Sequence, residues 1–541
     1  MTLSLPLPQT RTENASAFFD ANSAVEWLGR QPQANASAML TGLLGQIQAY
    51  NSYQTPPRQR FKTLEALRKT IFAVSAECQR RYENKPLPLL PAEQLMLDAV
   101  RGLWRNCAVA YLHCLQACLE GDSSAAGYGV KAAHRALACL RMEQTNGYLA
   151  CSEPVSSFWR TLHAVFAVAE RLGVTLEPVE DRLLGETSES TVSAQYCMAL
   201  LLHLAGPFAV SRSHFAALSR WLARWREQAK LLARPESDAK SCCIALDLAQ
   251  DQPLHDKQRA ASVPRWLSLN NVLRKIRKRL EMLEAGESPE SLRLGSGLSS
   301  EACISLLTQL AEHLRHPRQA AADALPGTAS VMLAAGLENI HLALGGRGLN
   351  DPLASPMSVD RLRADQIAVF GHVVETESSK QAQTEKWWLL KQEMNVLSLQ
   401  RSLASGEARM MLKGLLAVKQ PASDSYSLAV VRQLSAGGEG AAAHLNIVVT
   451  LYAGKAQALV AEAREKGSGK TLRYPAFMLP PDGGSGRRAS IILPSGVTGR
   501  ALSIKFYDGR ETALPDMQLA EFVERNADCE HWVLNQAAAK R

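Results

Sequence analysis

From residue 26 to about residue 315, apolar side chains recur at three- and four-residue intervals, and beyond that point the pattern stops. In FKTLEALRKTIFAVSAECQRRY the residues Phe61, Leu64, Leu67, Ile71 and Val74 fall on one side of a helix, which can be stable only if that side is covered. Pro56 and Pro57 precede this segment, and Pro86, Pro88 and Pro91 separate it from the next, AEQLMLDAVRGLWRNCAVAYLHCLQACLEG, which ends near Gly121. Further helices are predicted over residues 128–148, 155–172, 190–206, 211–233, 267–284 and 300–314. Short Pro/Gly breaks between long helices predict paired antiparallel helices in a solenoid-like array, although no sustained 34-residue repeat is present. Such an array offers faces to protein partners more readily than it builds a catalytic pocket.

After HPRQ at 316–319 the texture changes to short apolar runs separated by Gly, Pro, Ser and Asp. LNIVVTLY and SIILP are rich in β-branched residues, as strands are, and their even spacing predicts a small barrel. ALSIKFYDGRETALPDMQL reads as a hairpin about Asp508-Gly509. The expected organisation is a loose tail over 1–25, a helical domain over 26–315, and a barrel over 325–465 with a polar insertion at 346–386. A β-rich segment with a terminal helix follows over 470–541. The fold class is therefore α+β and multidomain.

Composition narrows the function. Of 541 residues, 60 are Lys or Arg and 52 are Asp or Glu, and the resulting +8 is interspersed, so specific nucleic-acid binding is not expected. The densest basic run, Arg274, Lys275, Arg277, Lys278 and Arg279, lies over an apolar stripe of Leu273, Ile276, Leu280 and Leu283 and reads as a solvated helix face; an anionic partner is the alternative. The longest apolar run, residues 196–210, is shorter than the roughly 20 residues a bilayer requires, so no membrane span is expected. No export signal is recognisable, and eleven cysteines without a CxxC pair suit reduced thiols in the cytoplasm, with no metal site.

The chain resembles a divergent group of bacterial PilZ-domain proteins that carry a long helical N-terminal region. The resemblance rests on GLENIHLAL, WWLLKQEMNVLSL, KGLLAVKQ, YSLAVVRQL and RASIILPSGVTGRALSIKFYDGRETAL in the second half, and on YNSYQTPPRQRFKTLEALR, YENKPLPLLPAEQ and IRKRLEMLEAGESPESLRLG in the first. It implies a six-stranded PilZ-like barrel and cyclic di-GMP as a ligand. That family reads the dinucleotide with RxxxR before the first strand and D/NxSxxG on a later one. Paired arginines meet phosphate and guanine edges with planar forks.

Both segments depart from the family pattern here. Arg315 and Arg318 are spaced RxxR, and Ala322 stands where RxxxR from Arg318 needs its second arginine. The later segment aligns with Gln392, Met394 and Leu397; shifting the frame gives Asn395 with Ser398 and still no glycine. Arg315, Arg318, Asn395 and Ser398 are thus the candidate residues of a degenerate nucleotide site, with Arg361 and Arg363 as substitutes from the insertion. KGSGKT at 466–471 lacks the first P-loop glycine, Arg464 standing there; the preceding LVAEAREK reads as helix and GSGKT as a linker. No HExxH, GxSxG or GxGxxG occurs, so no catalysis is expected. Two functions follow: a non-enzymatic signalling scaffold whose barrel has lost its nucleotide motif, or an active cyclic di-GMP effector using arginines from unusual places.

Overall fold

A computed structural model describes residues 5–32, 34–184, 189–236, 238, 241–255, 260–317, 329–347, 349, 381–421, 423–467, 469–481, 488–508, 512–514 and 517–536. Two compact units make up the chain: Met1–Lys85, Leu89–Ala322 and Ala436–Gly440 form the first, and Pro86–Pro88, Asp323–Ser435 and Ala441–Arg541 the second.

The first unit is built on α1 (Ala21–Gly29), α2 (Ala36–Asn51), α3 (Pro57–Gln79), α4 (Pro91–Leu119), α5 (Gly129–Leu149), α6 (Phe158–Arg171), α7 (Val192–Leu204), α8 (Arg212–Trp225), α9 (Asn270–Glu284) and α10 (Ser300–Arg315). Their starts are written locally. Asp20, Asn35, Thr191, Ser211 and Ser299 each accept the N3 amide, while α3 and α4 begin on proline, whose missing N–H costs nothing there. The predicted stripe of α3 is buried: Phe61, Leu64, Leu67, Ile71 and Val74 all face the core. α4 and α5 pack antiparallel, Cys118 beside Gly129 and Arg105 bonded to Glu143, with Ala132, Ala133 and Ala136 fully buried on α5. Methyl-sized side chains let the two backbones approach.

The helical half also holds strands that periodicity did not announce. β1 (Val179–Glu180) pairs with β2 (Glu189–Ser190), and β3 (Lys230–Leu232), β4 (Cys243–Asp247) and β5 (Pro264–Ser268) form a sheet in the order β3-β5-β4. The helix expected over 211–233 therefore stops at Trp225, passes through one tight turn, and becomes β3. Strands of three to five residues are too short for a readable period; pairing partners decide them.

The second unit contains two β modules. β6 (Ser330–Ala335), β7 (Glu385–Glu393), β8 (Val396–Ser402), β9 (Leu415–Lys419), β10 (Ser427–Gly437) and β11 (His444–Leu451) close a barrel in the order β10-β11-β8-β7-β6-β9. β12 (Gln457–Glu465), β13 (Thr471–Leu479), β14 (Ser490–Pro494), β15 (Ala501–Tyr507), β16 (Met517–Arg525) and β17 (Cys529–Gln536) form an antiparallel sheet, β15-β12-β13-β14-β17-β16. Ile340 of α11 (Leu337–Ala343) joins Leu415, Ala417, Phe477, Leu479, Ile492 and Cys529 in one core cluster that spans both modules.

Several expectations change here. LVAEAREK is strand β12, not helix: Leu459, Ala461 and Ala463 alternate inward, and pairing with β13 and β15 overrides the helix propensity of Ala and Glu. GSGKT is the tip of the β12–β13 hairpin and not a linker, and neither a parallel strand nor a helix follows it, as a P-loop would need. The barrel ends at Leu451, so β12 belongs to the second sheet. The tryptophan-led strand is two strands, turned at Met394-Asn395, with Met394 in the left-handed region at φ 47°. The Asp508 turn returns only as far as Leu514, whose N–H donates to the Phe506 carbonyl; β16 pairs with β17 at the far edge of the sheet from β15. The last described element is β17, a strand where a helix was expected.

Candidate ligand-binding face of the barrel

On β8 the side chains alternate: Leu397, Leu399 and Arg401 point into the barrel and are buried, while Val396, Ser398, Gln400 and Ser402 lie on its outer face. The same period on β11 turns Leu445, Ile447 and Val449 inward and Asn446 and Val448 outward. Register then sets one transverse row across four strands: Ser330 opposite Trp388, Trp388 opposite Gln400, and Gln400 opposite Asn446. The Gln400 amide donates to Asn446 Oδ1 at 3.0 Å, and Lys386 Nζ sits 4.5 Å from the centre of the Trp388 ring. One step toward the hairpin tip, Lys391, Ser398 and Val448 form the next row, with Lys391 2.6 Å from the Glu393 carboxylate.

The two adjacent tryptophans divide as the alternation predicts. Trp387 is fully buried inside the barrel with the Arg401 guanidinium 5.2 Å from its ring centre, whereas Trp388 is half-buried outside. Arg401 is committed to structure. It donates to the carbonyls of Ser405 (2.8 Å), Gly406 (3.0 Å) and Ala408 (2.9 Å), and its Nε lies 3.3 Å from Glu385. Burial lowers its pKa and the Glu385 carboxylate opposes that fall. Arg409 is likewise occupied, holding the carbonyls of Pro86 and Pro88 at 2.9 Å each. The cations named on the outer face are therefore lysines. An indole flanked by amides, a hydroxyl and an ammonium can stack a planar heterocycle, bond its edges and attract its phosphates.

The residues singled out from sequence are only partly brought together. Asn395 and Ser398 share the β7–β8 hairpin: Asn395 is exposed at its tip, its carbonyl accepting the Leu451 amide at 2.7 Å, and Ser398 is half-buried on the outer face. Arg315 closes α10 in the first unit, with its guanidinium 3.5 Å from Glu312. Arg318, Ala322, Arg361 and Arg363 lie outside the described residues. Leu397, standing where the family motif wants glycine, is a fully buried core residue. The motif search passed over Gln400 and Asn446, because their pairing is a property of strand register. The outward turn of Trp388 was legible in the period.

The remaining chemistry expected from sequence is bland. All eleven cysteines are free thiols, and among the described residues no group of three or more His, Cys, Asp or Glu could hold a metal. His341 is buried, its Nε2 3.2 Å from the Leu459 carbonyl, and burial lowers its pKa. No described helix is long and apolar enough to cross a membrane. No curated protein and no solved structure matches the chain. Residues 22–236 match a family described as the N-terminal domain of the cyclic-di-GMP receptor FimW, so this stretch of the first unit is similar to a part of a cyclic di-GMP receptor.

Proposed function

We propose that the protein is a cyclic di-GMP-binding signalling protein, its helical unit presenting faces to protein partners and its barrel, PilZ-like in kind, taking the dinucleotide on the outer face around Trp388. The similarity of residues 22–236 to a cyclic di-GMP receptor's N-terminal domain carries this reading, and moves the weight from a barrel that has lost its ligand to one that binds it. The closed six-stranded barrel and the row Ser330, Trp388, Gln400 and Asn446 support it. In this reading the indole stacks a guanine, the Gln400 and Asn446 amides bond its edge, and Lys386 and Lys391 draw the phosphates. Ser398 borders the ligand, and Asn395 closes the hairpin that holds it. Binding is the whole activity, and the unbridged thiols suit a cytoplasmic location.

Titration calorimetry of the full chain with cyclic di-GMP, with GMP as control, tests it. Saturable heat from the dinucleotide alone is expected, and Trp388→Ala should weaken it at least tenfold, since base–aromatic stacking contributes about 1–3 kcal/mol and each tenfold is about 1.4 kcal/mol. Absence of heat would leave the scaffold reading, which the buried Leu397 in the motif's glycine position favours.

A further inference from the structure

A buried polar network runs through the first unit between α3, α5, α7 and the β1–β2 ladder. Its centre is closed. Arg68 and Arg135 both bond Asp181, at 2.7 and 2.8 Å, and both reach Glu65, at 3.6 and 3.2 Å, so two cations meet two carboxylates. His134, fully buried, bridges outward from this centre: its Nδ1 is 3.2 Å from Arg135, and its Nε2 is 3.2 Å from the Ser190 hydroxyl. Ser190 accepts the Gln195 amide at 2.8 Å, and that bond turns Gln195 Oε1 toward Arg141 Nε at 3.2 Å.

At Arg141 the pattern of satisfaction ends. It makes that single side-chain hydrogen bond and no ion pair among the described residues. Its helical neighbours at three and four, Ala138, Gln144, Leu137 and Thr145, carry no charge. Arg226, almost fully buried where α8 ends, adds a second cation: it donates to the Glu189 carbonyl at 3.3 Å and lies 3.9 Å from Glu227. Burial and the Arg226 charge press the Arg141 pKa down to about 10, so the group stays a cation at neutral pH. Arg68 and Arg135 show how this fold neutralises an arginine that serves structure. A desolvated guanidinium left without a carboxylate is unfavourable, and its two terminal nitrogens form a fork shaped for an oxyanion.

We propose that Arg141, with Arg226 and Gln195 beside it, is a binding site for a phosphate-type oxyanion inside the helical unit, separate from the barrel face and independent of the reading given to it. The anion is either free phosphate or diphosphate, or the phosphodiester of a dinucleotide. Inorganic phosphate, diphosphate and cyclic di-GMP are each titrated into the full-length protein, with thermal unfolding and calorimetry as readouts. The wild type, Arg141→Met, Gln195→Glu and Trp388→Ala are compared. Arg141→Met keeps the aliphatic stem without the charge. Gln195→Glu supplies Arg141 with an internal carboxylate, so it should occupy the fork without harming the fold. At least one anion should stabilise the wild type, with affinity tenfold or more lower in both Arg141→Met and Gln195→Glu. Neither variant should unfold earlier than the wild type without ligand. A response to phosphate or diphosphate identifies a free anion. A response to cyclic di-GMP alone, lost in Arg141→Met and kept in Trp388→Ala, places a phosphodiester there. No response to any of the three, or one retained in Arg141→Met and Gln195→Glu, overturns the site. If cyclic di-GMP binding is lost only in Trp388→Ala, the barrel reading stands without it.

Discussion

Arg401 in the barrel and Arg141 in the helical unit are both withdrawn from water, and they are treated in opposite ways. Around Arg401 three loop carbonyls and the Glu385 carboxylate satisfy the guanidinium, and Glu385 in turn accepts the amides of Glu407 and Ala408 at 2.6 and 2.7 Å. The group is a clamp that folds residues 402–410 back onto the barrel. Around Arg141 one glutamine oxygen is the only hydrogen-bonding partner among the described residues. A buried charge that is fully met explains itself by the structure it holds; one that is not met asks for something outside the chain.

The largest expected effect lies at the clamp. Arg401→Ala leaves Glu385 with a charge and no partner and strands the loop carbonyls, so it should destabilise the second unit by about 3–5 kcal/mol in urea unfolding. A change below about 1 kcal/mol would mean the carbonyls find water readily, and the contrast with Arg141 would collapse. Next comes the closed centre of the helical network. Asp181→Asn keeps shape but removes the carboxylate that Arg68 and Arg135 share, and a loss on the order of 3 kcal/mol from the first unit is expected by the same measurement.

A pH experiment sharpens the picture further. Burial, with Arg135, Arg226, Arg68 and Arg141 around it, pushes the His134 pKa down to about 2. The unfolded imidazole takes up a proton below about pH 6.5 while the folded one does not, so the contribution is whole above that pH and is lost as pH falls. The first unit should therefore lose roughly 1.4 kcal/mol per pH unit between about 6.5 and 5 through this residue. His134→Gln should flatten that slope in denaturant titrations at pH 7 and pH 5. An unchanged slope would show that His134 does not carry the effect. The smallest effect belongs to Arg141 itself: Arg141→Met should leave stability in anion-free buffer within about 1 kcal/mol of wild type, or raise it. A loss comparable to that of Asp181→Asn would place Arg141 among the structural arginines.

Local patterns in the chain determined a good deal. Three-and-four spacing placed Phe61, Leu64, Leu67, Ile71 and Val74 on the buried side of α3, because a helix has one period and water rejects one face. Alternation at Trp387-Trp388 sent one indole inward and one outward by the same logic in a strand. The bend at Met394-Asn395 was hidden because no glycine marks the left-handed residue, and β12 was hidden because Ala and Glu suit a helix as well as a strand. Only tertiary structure decided which strands are neighbours, and hence that Trp388, Gln400 and Asn446 share a row while Arg315 belongs to the other unit. Tertiary structure also decided which arginines are spent and which is left over, since a guanidinium is satisfied by groups as far along the chain as Arg68 is from Asp181. Short-range spacing carries periods and caps; it does not carry pairing between distant segments, and both candidate sites are made of such pairings.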